Sequence, residues 1–226
     1  DMNQKKIKII AVLLLLCISA AWLERYEIQE SGQYLSDQMA DKMKQNTDEP
    51  QNLYARSAVL MDADSGRVLF GKEEEAIRPM ASTTKTMTAL VVIENCDLDE
   101  TVEVTADAAG TEGSSMYLSC GEKLSVRDLL YGLMLLSGND AAVALAVHVG
   151  GTVESFVRIM NDRAAKLGLT NTHFVTPNGL HDAEHYTTAY ELALIGAEAL
   201  KNETFRQIVS TQYYTAETGD RVRTMK

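Results

Sequence analysis

The sequence predicts an α+β domain built on an antiparallel sheet. Three observations carry the prediction. Two β-rich runs flank Asp64-Ser65-Gly66 in "SAVLMDADSGRVLF", a hairpin signal. A series of helical segments follows, two of them apolar on all sides. A strand then returns near the end in "STQYYTAET", and further strands of the sheet are expected beyond residue 226.

The elements follow in chain order. Lys5, Lys6 and Lys8 precede an unbroken apolar run from Ile9 to Leu23, which reads as a secretory signal over residues 1–23. The run is shorter than the ~20 residues that cross a bilayer comfortably, and Ser19, Ala20 and Ala21 offer a cleavage site. Cys17 follows three leucines rather than small residues, so lipidation is not expected. Residues 24–51 are polar, close with Asp48-Glu49-Pro50 and read as a linker. The domain proper is expected over 52–226, truncated at its C-terminal side, since the chain starts with Asp1 before Met2 and stops at "RVRTMK".

Within the domain a helix is expected over 82–94, because Met87, Leu90, Val91 and Glu94 recur at helical spacing and Asn95 can stop it. Thr101 to Thr105 alternates as a short strand. Ser125 and Asp128 form a capping-box-like start for "VRDLLYGLMLL", a helix apolar enough to require burial. A second buried helix runs over 140–149 and stops at Gly150-Gly151. An amphipathic helix over 152–167 ends at Gly168, Pro177-Asn178-Gly179 is a turn, and Thr187 or Thr188 caps a helix reaching Leu200.

The formal charge of -11 and pI near 4.8, with no Lys/Arg cluster after the first ten residues, exclude a nucleic-acid binder. Cys96 and Cys120 are too few for a disulfide scaffold, and whether they pair is open.

The chemistry concentrates in "PMASTTKTMTAL". Lys85 lies three residues after Ser82, so on a helix their Cβ atoms are about 5–6 Å apart. A serine hydroxyl is a poor nucleophile until a base takes its proton, and a lysine becomes that base once burial lowers its pKa. The surrounding Met80, Thr83, Thr86 and Met87 supply no acid to hold Lys85 in a salt bridge, and a helix N-terminus favours a developing oxyanion. Ser137-Gly138-Asn139 places a hydroxyl and a carboxamide between the two apolar helices, able to relay a proton and bind a peptide group. Singly, each element reads equally well as a helix cap.

Together, Ser82-x-x-Lys85 and Ser137-x-Asn139 match the first two of three signatures of penicillin-binding proteins and class A β-lactamases. The flanking "EGSSMYLSCGEKLSVRDLLYGLMLLSGNDAAVALAVHVGG" and "VTPNGLHDAEHYTTAYELALIGAEAL" closely resemble the D-alanyl-D-alanine carboxypeptidases, low-molecular-weight penicillin-binding proteins of serine peptidase family S11. The resemblance runs from about Ala55 to the last residue. It implies a β-lactamase/penicillin-binding-protein transpeptidase-like fold, an antiparallel sheet with a helical subdomain. It implies Ser82 as acyl-enzyme nucleophile, Lys85 as proton acceptor, Ser137 as proton shuttle and Asn139 as a ligand to the substrate backbone. The implied substrate is a peptidoglycan stem peptide ending in D-Ala-D-Ala, with β-lactams as acylating inhibitors. An exported location and a peripheral membrane association go with it. No metal and no cofactor are expected.

The third signature, Lys-Thr-Gly, is absent from these residues, and Lys226 is not read as its lysine. The full-length parent is therefore expected to be active and this fragment inactive. Two rivals use the same pocket, a serine β-lactamase and a non-catalytic membrane-tethered penicillin-binding or sensing module. The first lacks a Glu-x-x-Leu-Asn counterpart, with Glu154 and Glu191 read as solvated helix faces. His181-x-x-Glu184-His185 has the letters of a zinc peptidase motif, but it follows a turn and precedes a cap, so it is expected in a loop. His148 and His173 are expected to be structural.

Overall fold

The hairpin signal forms the first element pair of the computed structural model, which describes residues 53–218 and 221–226. The expected signal segment and linker lie outside the described residues. Strand β1 (Ala58–Met61) pairs antiparallel with β2 (Val68–Lys72), with an irregularity between Leu60 and Met61. The turn is closed by Asp62, whose Oδ1 accepts from the Ser65 amide at 2.8 Å and the Ser65 hydroxyl at 2.5 Å.

The chain then enters a 3₁₀ turn, Ala81–Thr84, which runs into α1 (Lys85–Asn95). The first turn is tight because the Thr83 and Thr84 hydroxyls donate back to the carbonyls of Met80 and Ala81, at 2.5 and 2.8 Å. Of the spacing that predicted α1, Met87, Leu90 and Val91 are buried, while Glu94 reaches Arg163.

Strand β3 (Thr101–Glu103) pairs with β4 (Lys123–Ser125), and a short helix α2 (Ala106–Ala109) is capped by Thr105. The capping box expected at Ser125 is present in both directions and starts α3 (Val126–Leu135). Helices α4 (Asn139–Gly150) and α5 (Val153–Lys166) follow, the latter capped by Thr152. Thr188 caps α6 (Ala189–Leu200) by accepting from the Glu191 amide at 3.0 Å.

Four elements are additional to the sequence reading. Helix α2 and strand β4 are only a turn and three residues long, too short to show a period. Helix α7 (Glu203–Ser210) is capped by Asn202 and buries Phe205 and Ile208 at helical spacing. It occupies Ser210, so the returning strand β5 is confined to Tyr214–Thr218 and pairs with β6 (Arg221–Met225). Among the described residues the strands form three separate two-stranded antiparallel sheets.

The core lies where α1, α3, α4 and α5 meet, around Leu90, Leu129, Leu130, Leu145, Phe156 and Met160. Burying such side chains stabilises by roughly 1.5–3 kcal/mol each. Helices α3 and α4 are buried as their all-round apolarity requires. Arg163 on α5 bonds Glu94 of α1 and Glu198 of α6, joining three helices through one guanidinium. The β5–β6 hairpin docks by stacking Tyr214 on Tyr131 at 3.7 Å between centroids and by pairing Arg223 with Glu122 at 2.5 Å.

The expectation for Glu191 is corrected. It is buried, and its carboxylate accepts from the Thr170 and Asn171 amides at 2.9 Å and from the Thr172 hydroxyl at 2.5 Å. The loop before α6 folds over the first turn of that helix and gives the carboxylate partners in place of water. Glu154 is exposed as expected. Cys96 and Cys120 are unpaired, Cys96 half-buried and Cys120 exposed.

Candidate active site

The junction between the 3₁₀ turn and α1 holds Ser82 outside and Lys85 inside. Ser82 is exposed in the 3₁₀ turn, and Lys85, the first residue of α1, is 2% exposed. Lys85 Nζ lies 3.0 Å from Ser82 Oγ, 2.8 Å from Asn139 Oδ1 and 2.8 Å from the Asn178 carbonyl oxygen. Among the described residues no carboxylate bonds it. Burial therefore acts unopposed and lowers the Lys85 pKa to about 8. In the neutral amine, Asn139 and Asn178 can accept its two N–H bonds, which leaves the lone pair facing the Ser82 hydroxyl.

Each partner is placed by a distinct device. Ala81, immediately before the serine, holds a left-handed φ of 47°, a strained position for a residue with a Cβ. Asn139 opens α4, where its amide donates to the Ser114 carbonyl at 2.7 Å and its Nδ2 donates to the Glu112 carbonyl at 2.7 Å. Its side chain thus spans from Lys85 to the 112–114 loop. Gly113 makes that approach possible, since its φ is +93° and a Cβ there would stand 2.5 Å from Asn139 Nδ2. The neighbouring Asp140 is fully buried and accepts from Ser115 Oγ at 2.7 Å and from the Met116 and Leu118 amides at 3.0 Å, binding the same loop to α4.

Ser137 lies between α3 and α4, two residues before Asn139, with a left-handed φ of 57°. Among the described residues no hydrogen bond joins its hydroxyl to Ser82, Lys85 or Asn139. The structure thus brings Ser82, Lys85 and Asn139 into direct contact and leaves Ser137 beside them along the chain.

The Asn178 carbonyl is the participant that the sequence pattern did not reveal. Its only signal was the Pro177-Asn178-Gly179 turn, now seen to dock along α1. Thr88 Oγ1 donates to the Pro177 carbonyl at 2.6 Å, Lys85 to Asn178, and Thr84 Oγ1 lies 2.7 Å from His185 Nε2. Gly179 has φ +86°, and a Cβ on it would stand 1.9 Å from the Ala81 carbonyl oxygen. Gly179→Ala is expected to cost about 2–4 kcal/mol, from left-handed strain plus overpacking, and to pull the Asn178 carbonyl off Lys85. Urea unfolding checks it; an unchanged midpoint would show that the turn does not need glycine.

His185 belongs to this scaffold. It is buried in a loop, its Nδ1 accepts from the Val175 amide at 2.9 Å, and Nε2–H faces Thr84, whose hydroxyl donates to Ala81. Both ring nitrogens are engaged, and His181 is exposed, so the H-x-x-E-H letters do not assemble on one helical face. His173 sits in an isolated bridge with Tyr186, its Nδ1 2.6 Å from the Glu184 carbonyl oxygen. Burial lowers the His185 pKa from 6.5 to about 4. The neutral ring is favoured by folding, so its contribution is complete above pH 6.5 and is lost as pH falls toward 4. About 3 kcal/mol of stability is expected to disappear over that window. Denaturant titrations at intervals of pH, with His185→Gln flattening the curve, check this.

The comparisons with known proteins identify the family. A profile of the D-alanyl-D-alanine carboxypeptidase family matches residues 43–225. The D-alanyl-D-alanine carboxypeptidase DacF of Bacillus subtilis (strain 168) is 39% identical over 173 residues, covering 74% of this chain and 44% of its own length. The D-alanyl-D-alanine carboxypeptidase of Streptomyces sp. (strain K15) is 41% identical over 180 residues, covering 73% of this chain and 62% of its own. The crystal structure of the Streptomyces K15 DD-transpeptidase superposes with a TM-score of 0.71 at 40% identity, covering 76% of this chain and 71% of that one. A D-alanyl-D-alanine carboxypeptidase from Mycobacterium tuberculosis H37Rv gives a TM-score of 0.72 at 35% identity, over 75% and 65% of the two chains. The chain spans about half the length of the curated relatives it matches. With a buried lysine against an exposed serine and a family profile over most of its residues, the chain belongs to the D-alanyl-D-alanine carboxypeptidases, serine peptidase family S11.

Proposed function

We propose that these residues carry the acylation machinery of a serine-type D-Ala-D-Ala carboxypeptidase acting on peptidoglycan stem peptides. The observation that carries the reading is the 3.0 Å contact between Lys85 Nζ and Ser82 Oγ, with two carbonyl oxygens and, among the described residues, no carboxylate completing the lysine's shell.

In this reading neutral Lys85 takes the Ser82 proton as Oγ attacks the carbonyl of the penultimate D-Ala. The carbonyl oxygen gains negative charge beside the Ser82 amide, one of the N–H groups of the helical first turn that the helix's own ladder leaves unpaired. As the peptide bond breaks, terminal D-Ala leaves with a proton returned from Lys85, a transfer for which this reading assigns Ser137 as the relay. Water then hydrolyses the ester and restores the serine. Asn139 holds Lys85 through Oδ1 and can still bind substrate through the remaining lone pair and N–H of its carboxamide. β-Lactams acylate the same oxygen and deacylate slowly. The domain limits at 23 and 51 and an exported location belong to the same proposal and rest on the composition of the N-terminal segment, while a peripheral membrane association of the full-length protein rests on the family resemblance alone.

Release of D-Ala from a peptide ending in D-Ala-D-Ala, with covalent labelling by a fluorescent penicillin, tests the reading. Slow loss of the label marks a carboxypeptidase. Rapid turnover of penicillin without D-Ala release would replace this reading by a β-lactamase.

A further inference from the structure

Away from Ser82, Cys96, Glu100 and His148 bring their ligand atoms within 4.8 Å of one another, the one such group among the described residues. We propose that this cluster is a zinc site that clips α1 to α4. Cys96 caps the C-terminal end of α1, His148 lies in the last turn of α4, and Glu100 leads into β3. The N-terminal ends of the same two helices carry Lys85 and Asn139, so the clip would fasten the far ends of the helices that build the candidate active site.

The donor set is one thiolate, one imidazole and one carboxylate, a combination that suits Zn²⁺. Zinc bond lengths of about 2.0–2.3 Å in a tetrahedron place ligand atoms roughly 3.3–3.8 Å apart. His148 Nε2 and Glu100 Oε2 are already 3.0 Å apart, and side-chain rotation closes the remaining gap to the sulfur. Glu100 is also oriented, because its other oxygen accepts from the Asp97 amide at 2.8 Å. Cys96 is half-buried against the core, while about half of the Glu100 side chain is exposed, which leaves an open side for water as fourth ligand. On binding, the Cys96 S–H bond breaks, sulfur keeps the electron pair and bonds the metal, and the proton goes to solvent. The cation takes the place of the hydrogen between His148 Nε2 and Glu100 Oε2, and that hydrogen moves to Nδ1, so that the ring binds as a neutral imidazole.

Titration of the metal-stripped chain with Zn²⁺ by calorimetry, and with Co²⁺ to read thiolate-to-metal charge transfer, tests the site. One equivalent is expected, with the thiolate band present and Tm raised by a few °C. Cys96→Ser and His148→Ala should each weaken binding by about 10-fold or more and remove the Tm rise, and Cys96→Ser should remove the band. Glu100→Gln, a near-isosteric change at an exposed side chain, should weaken binding with folding intact. Cys120→Ser should bind as the parent does. No binding by the parent chain, binding unaffected by Cys96→Ser and Glu100→Gln, or binding lost in Cys120→Ser would each overturn the proposal.

Discussion

In the full-length protein, Ser82→Ala is expected to abolish covalent labelling by a fluorescent penicillin and to lower D-Ala release by roughly 10⁴-fold or more. The ground for so large an effect is that Ser82 is exposed and its hydroxyl contacts the buried amine at 3.0 Å. Its removal leaves Asn139 and Asn178 still bonded to Lys85, so the fold should be unchanged. Mass spectrometry of the penicillin-treated protein, with circular dichroism as the folding control, reads the outcome. An adduct that persists in Ser82→Ala would assign the nucleophile elsewhere.

Lys85 has the second largest expected effect, and its signature is in pH. With the pKa brought down to about 8 by burial, about one molecule in ten carries the neutral amine at pH 7. The acylation rate should therefore rise about tenfold per pH unit below 8 and level off above it. Lys85→Arg keeps a cation but cannot supply a base, because guanidinium does not deprotonate in this range. It should lose about 10²–10⁴-fold in acylation, together with the rising limb. The measurement is the second-order rate of penicillin labelling from pH 6 to 9.5. A flat profile for the parent would remove Lys85 from the role of base.

The stability of the site and its chemistry share atoms. Asn178 serves both the turn and the amine, and Gly179 permits the turn to approach Ala81. Substitutions behind the site should therefore move rate and stability together, whereas Ser82→Ala should move rate alone.

Much of this protein was legible from residue order because the signals were local. The Asp64-Ser65-Gly66 hairpin, the Ser125–Asp128 box, the Thr187/Thr188 cap, the apolar period of α1 and the apolar runs of α3 and α4 each depend on neighbours within a turn or two. Ser82 and Lys85 were legible for the same reason, being one turn apart. Helix α7 and strand β4 were not, since one is short beside a β-rich run and the other pairs only with a strand about twenty residues away.

What residue order could not decide was who would meet Lys85 from a distance. Asn139 reaches it across 54 residues and the Asn178 carbonyl across 93. A backbone carbonyl has no letter in the sequence, so its role appears only when packing brings its turn against α1. Glu191 shows the same limit in reverse. Its helical spacing allowed a solvated face, and burial came from a loop that folded over it and satisfied the carboxylate. The sequence by itself determined the local elements and the serine–lysine pair; long-range packing decided the lysine's burial, its lowered pKa and the absence of an acid beside it, because desolvation is a property of everything that surrounds a group.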